Sequence, residues 1–345
     1  MVLWVLTLLS VIAGEFCFAM RTEVNITRNF KEQTEAYYVA LAGVNRAIGE
    51  LIRNEVIPQK VKQPKGEEEQ EGQEDEEGGE RWRINVDLPP VSYGQGQFVV
   101  KIGNESGKIN INEANEPLLK MILSGFDLEE QQESIIVDSI LDWRDENNLH
   151  RLNGAEDDYY KSLPGPYECK DGDFDSVEEL LMVRGVTPEI FYGGLKDMFA
   201  VFQYGGSKGK KPGRFFRRLK GSSSGSASTI NINAASRRML LALPIMTDDL
   251  ADAIEQYRKK TDFRSLTEVA SLVGPNVYTA ISPYITLQEN PFYSIVSVGK
   301  VKNSKIRQGV EILVEINRSI KKGYRIVQWR DRLEHRLEQS PGTVK

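Results

Sequence analysis

The chain has 345 residues, room for two or three domains, with a formal net charge of -6 and a sequence pI of about 5.4. That balance argues against a protein built mainly to grip nucleic acid. Its two cysteines, Cys17 and Cys169, and two histidines, His150 and His335, supply neither a disulfide framework nor the material for zinc or Ser-His-Asp chemistry.

Residues 1–20, MVLWVLTLLSVIAGEFCFAM, are apolar and run into RTEVNITRNFKEQTEAYYVALAGVNRAIGELIRNE with no proline before Pro58. One rod therefore has a lipid-compatible end, about 20 residues being the length of a membrane span, and an amphipathic end over 21–57. A cleavable signal needs a basic start and a small-residue cleavage site. Nothing basic precedes Trp4, and Cys17-Phe18-Ala19-Met20 is a poor site. Tyr37, Leu41, Val44, Ile48 and Leu51 carry an apolar seam beyond the membrane span, and a sheet or partner helices are expected to cover it. Such a rod resembles the helix of pilin-type subunits. No basic leader precedes it, so a processed sequence or a misplaced start codon is expected. Glu15 stands inside the apolar stretch, where an ionised carboxylate calls for a partner or a proton.

Residues 58–80 read as an acidic linker, since GEEEQEGQEDEEGGE offers nothing to bury. RWRINVDL and GQFVVKIGN then read as strands separated by a turn at PPVSYGQ. A second linker spans about 205–228, where SKGKKPGRFFRRLKG is followed by GSSSGSAS. A basic patch of this kind suits RNA or anionic lipid, but in a Gly/Ser-rich connector it suits a solvated loop better. Towards the end, 292–319 and 323–333 predict three strands with a turn at Lys302-Asn303-Ser304. The strands thus split between the two ends of the chain, and one sheet with a helical middle inserted into it is expected.

The middle holds an internal repeat. Ile109-Asn110-Ile111-Asn112-Glu113-Ala114 recurs as Ile230-Asn231-Ile232-Asn233-Ala234-Ala235, and Phe174-Asp-Ser-Val-Glu-Glu-Leu recurs as Phe263-Arg-Ser-Leu-Thr-Glu-Val. Each copy reads as a capped short helix, a second helix and a helical hairpin. The first copy takes 65 residues from Ile109 to Phe174 and the second 33 from Ile230 to Phe263. The extra residues hold a cluster of acids.

The candidate oxygen donors run from Asp142, Asp145 and the amide of Asn147 through Glu156, Asp157 and Asp158 to Asp171, Asp173 and Asp175. Calcium takes about six to eight hard oxygens from a turning chain. Asp145/Asn147 and Asp171/Asp173/Asp175 have a spacing that converges side-chain oxygens, although no glycine at loop position six makes either an EF-hand. The same acids also suit helix caps and a polar loop. A catalytic carboxylate pair lacks any third group.

The motifs MVLWVLTLLSVIA, GKININEA, SILDWRDENN, GAEDDYY, FDSVEELLMVRGVTPEIF and STININAA resemble the K-type minor pseudopilins of bacterial type II secretion systems. The resemblance implies an α+β fold, a pilin-like long helix packed on a small antiparallel sheet. A large inserted α-helical domain then carries two helix-hairpin-helix-like (SAM-like) repeats. In this chain the sheet parts fall at 81–112 and 288–330 and the inserted domain at 113–287. Repeat one covers about 109–203, repeat two about 229–287, and 331–345 is a polar tail. It further implies a non-enzymatic tip subunit, single-pass in the inner membrane with a periplasmic domain and a methylated amino terminus. Expected partners are I- and J-type minor pseudopilins, the major pseudopilin, the inner-membrane assembly platform and prepilin peptidase. Calcium is the implied cofactor, with Asp142, Asp145, Asn147, Glu156, Asp157 and Asp158 carried over by motif. Asp171 and Asp173 join them from spacing alone. A glutamate at mature position five marks shaft subunits, and here that position is Val5 if Met1 comes first. The Ile-Asn-Ile-Asn hairpins also resemble the DNA-binding modules of membrane-anchored competence proteins. Their turns here read Leu-Pro-Ile-Met-Thr and Arg-Gly-Val-Thr-Pro; the first lacks altogether the glycine pair that presents N–H groups to phosphate and the surroundings are acidic, so no nucleic acid is expected.

Overall fold

The computed structural model describes residues 2–56, 82–86, 88–201 and 229–332. The two linkers and all but the first two residues of the polar tail lie outside them. The chain forms two compact units, one of residues 1–103 with 291–345 and one of residues 104–290.

In the first unit, α1 (Val2–Val56) is one unbroken helix, about 80 Å long at ~1.5 Å per residue. Five strands follow it: β1 (Val91–Tyr93), β2 (Gly96–Asn104), β3 (Phe292–Val301), β4 (Arg307–Ile316) and β5 (Tyr324–Arg332). They hydrogen-bond in that order into one sheet, so the two ends of the chain do share it. β1–β2, β3–β4 and β4–β5 pair antiparallel. Strand alternation sorts the faces: Phe98, Val100 and Ile102 of β2 and Val310, Ile312, Val314 and Ile316 of β4 are buried, as a period of two requires. Asn303, in the turn at 302–304, takes φ 62°, a conformation asparagine tolerates.

The seam of α1 meets this sheet through small residues. Ala36, Ala40 and Ala47 are fully buried, with Val39, Val44, Ile48 and Leu51 between them. Gly299 on β3 sets the spacing, because a Cβ there would overlap the Ala36 carbonyl and stand 2.5 Å from the Ala40 nitrogen. Each buried Val, Ile or Leu of the seam is worth about 1.5–3 kcal/mol. Of the expected seam residues, Val44, Ile48 and Leu51 lie in the core and Tyr37 packs against it. Leu41 does not: it is half-buried and lies outside that core. From Val2 to Phe30 the large apolar side chains are exposed, and this end of α1 is long and apolar enough to cross a membrane.

One expected strand is not there. Residues 82–86 are coil and turn, because Asn85 has φ 59° and leaves the extended region. Its N–H still donates to the Ile102 carbonyl at 2.7 Å, and Trp82, Ile84 and Leu88 still pack on the core. The first strand is instead Val91–Tyr93, within the segment read as a turn.

The second unit is helical: α2 (Glu116–Leu123), α3 (Glu130–Arg144), α4 (Asp157–Lys161), α5 (Arg237–Ala242), α6 (Asp248–Lys260), α7 (Leu266–Val273) and α8 (Pro275–Ile281). The two sequence repeats make matching bonds. Ile109–Asn110 pairs in parallel with Phe199–Ala200, and Ile230–Asn231 with Ile285–Thr286. The Asn112 amide exchanges two hydrogen bonds with the Phe174 backbone, as Asn233 does with Phe263. Arg144 donates to the carbonyls of Ile111 and Ala114, and Arg258 to those of Ile232 and Ala235. Each half-buried guanidinium thus satisfies a turn that closes its repeat. Because Ile109–Asn110 pairs inside this unit, the unit begins at Asn104 and not at 113 as the sequence implied. Asn104 also ties its two ends, donating to the Asn290 carbonyl at 2.9 Å.

Candidate metal centre

The extra residues of repeat one return to the end of α3. Asp142 lies in its last turn and Asp145 caps it. Gly154 brings the chain back, and a Cβ there would overlap the Asp142 carboxylate. Glu156 then precedes α4, and the segment after that helix carries Cys169 and Asp171, the latter at φ 50°.

Carboxylate oxygens of Asp142, Asp145 and Glu156 lie within 4.8 Å of one another, and so do donor atoms of Glu156, Cys169 and Asp171. Asp142 is 0% exposed and Glu156 2%. Both Glu156 oxygens, Asp142 Oδ1 and Asp171 Oδ1 lack a hydrogen-bond partner. Arg151 compensates in part, with its N–H donating to Asp142 Oδ2 at 3.0 Å and its guanidinium 3.4 Å from Oδ1. A buried carboxylate without partners is costly and is driven to neutralise. Burial, with Asp142, Asp171 and Asp145 adding to it, raises Glu156 to about 7. Burial also raises Asp142, against the pull of Arg151. The Cys169 thiol is pushed far up by burial and by Glu156.

Four of the expected ligands therefore converge: Asp142, Asp145, Glu156 and Asp171. Asp157 does not join them. It accepts from the Cys169 N–H at 2.8 Å and pairs with Lys161. Asp158 and Asp173 are exposed and outside both donor groups. Asn147 is spent on the loop, its amide donating to Asp145 Oδ1 at 2.6 Å and its oxygen accepting from Leu149. The sequence reading missed Cys169, two residues before Asp171, having treated it only as an unpaired thiol. A cluster of carboxylate oxygens that the protein satisfies only in part fits a hard divalent cation, whose charge removes the penalty.

The sequence pattern of type II secretion system protein K matches residues 99–196, a stretch that contains this centre. Over that stretch the chain resembles the type II secretion protein K family. The protein K of Aeromonas hydrophila is 25% identical over 210 residues, 55% of this chain and 58% of that protein. That of Pectobacterium carotovorum subsp. carotovorum is 30% identical over 74 residues, 21% of this chain and 23% of that protein. The chain thus spans little more than half the length of these relatives at most. The fold is similar to a chain in the crystal structure of the GspK-GspI-GspJ complex from the type 2 secretion system of enterotoxigenic Escherichia coli. There the TM-score is 0.55 at 15% identity, with 88% of this chain and 98% of that chain covered.

Proposed function

We propose that the chain is a minor pseudopilin that caps the tip of a type II secretion pseudopilus. In this reading it is anchored in the inner membrane by the apolar end of α1, and its two folded units lie in the periplasm. It joins I- and J-type minor pseudopilins, starts assembly and limits fibre length. The observation that carries the reading is α1 itself, whose lower half is packed on a sheet while its upper half exposes apolar side chains from Val2 to Phe30. The size of the unit inserted in sequence between β2 and β3, residues 104–290, also supports a terminal position, since a repeating shaft subunit would have to accommodate it in every copy.

Calcium is the cofactor in this reading, held by Asp142, Asp145 and Glu156. When bound it supplies the positive charge that the buried carboxylates lack, so its role is structural. The DNA-binding alternative gains no support: exposed Ile245, at φ 59°, occupies the turn before α6, and Asp248 and Asp249 follow it.

The test is complementation. A strain lacking the gene should regain secretion with the wild-type chain, and the I- and J-type subunits should co-purify with it. Leu41→Asp, outside the core, should keep the fold and weaken that association. No rescue by the wild-type chain, with the protein folded and membrane-bound, would overturn the reading.

A further inference from the structure

The acidic centre contains one donor for which calcium has no use. Cys169 Sγ lies within 4.8 Å of carboxylate oxygens of Glu156 and Asp171. The cysteine is 7% exposed and forms no disulfide. Its backbone is fixed by the bond from its N–H to Asp157. Glu156, 2% exposed, has two oxygens without a hydrogen-bond partner, and Asp171 Oδ1 has none either. Glu156 also belongs to the all-oxygen group with Asp142 and Asp145. One buried glutamate therefore serves two donor sets of different hardness.

Hard ions take oxygen, whereas thiolate selects zinc-class and other soft ions. We propose that the centre holds two ions. A hard ion sits on Asp142, Asp145 and Glu156, and a thiophilic divalent ion of the zinc class sits on Glu156, Cys169 and Asp171, with Glu156 shared. Two carboxylates and one thiolate are the protein share of a four-coordinate zinc-type site, and water completes it. On binding, the S–H bond breaks, a metal–sulfur bond forms and the proton passes to the buffer. No oxidant or reductant takes part. The inference rests on the metal reading of the same acidic centre.

The probe is Co²⁺, which reports thiolate ligation through a sulfur-to-metal charge-transfer band. The full chain in detergent, stripped with chelator, is titrated with Co²⁺ in a Cys17→Ser background, because Cys17 is a second free thiol. The expected result is a band that saturates at one equivalent, persists in excess calcium and is displaced by Zn²⁺. Cys169→Ser should abolish it while leaving the calcium-dependent rise in melting temperature. Asp171→Asn should weaken Co²⁺ binding about 10-fold or more, since losing even an outer-shell partner costs that much. Absence of the band in the Cys17→Ser chain, or its survival in Cys169→Ser, overturns the proposal. Calcium stabilisation without a band removes the thiophilic site alone. Loss of both responses removes the whole metal reading.

Discussion

Replacing Glu156 by glutamine should move stability in opposite directions with and without calcium. In the metal-free protein Glu156 holds its proton up to about pH 7 against an ordinary value of 4.5. A carboxyl whose folded value is raised destabilises the fold as pH rises through that interval, because the folded state binds the proton more tightly than the unfolded one. The shift of about 2.5 units amounts to roughly 3 kcal/mol, at ~1.36 kcal/mol per unit. Stability in chelator should therefore fall between about pH 4.5 and 7 and level off above. Glutamine cannot ionise and keeps that stability at pH 8. A unit the size of residues 104–290 gains roughly 2–4 °C per kcal/mol. The variant should accordingly melt several degrees above the wild type in chelator. Calcium at a thousandfold excess over its Kd adds about 4.1 kcal/mol to the wild type, roughly 8–16 °C, and little to the variant, so the order reverses. The assay is circular dichroism melting of the full chain in detergent, at pH 5 and pH 8, with chelator or with calcium. Equal melting of both proteins in chelator at pH 8, or the same rise with calcium, would refute the reasoning.

Two further substitutions test the geometry. Gly154→Ala pushes a methyl group into the Asp142 carboxylate and should abolish the calcium-dependent melting shift, whereas Asp158→Asn, at an exposed position outside the donor groups, should leave it unchanged. Gly299→Ala forces β3 away from the Ala36 carbonyl of α1 and should destabilise the first unit by about 1–3 kcal/mol, read in denaturant titration as a lower midpoint.

Much of this was legible in the sequence because it rests on periodicity. Val44, Ile48 and Leu51 announce the seam by helical spacing, and Val310, Ile312, Val314 and Ile316 announce a strand by alternation. Asn112 and Asn233 were found by repetition, since both close the same turn onto a phenylalanine backbone. What was not legible depends on single conformations and distant approach. Asn85 in a left-handed conformation cancels a strand that composition favours. Leu41 fits the apolar pattern, yet Ala36, Ala40 and Ala47 let the helix sit closer along a neighbouring line. Asp145/Asn147 spacing pointed to a local loop of ligands, whereas the centre joins Asp142, Glu156 and Asp171 across three segments. Cys169 had no motif to flag it, and only its approach to Glu156 does so.

Whether this chain ends the fibre is decided by stoichiometry. Pseudopilus fibres are isolated from a strain expressing the wild-type chain, and the chain is quantified against the major pseudopilin by mass spectrometry. A tip subunit is present at one copy per fibre whatever the fibre length, which is the expected result. Copies that increase in proportion to the major subunit along the shaft would contradict it.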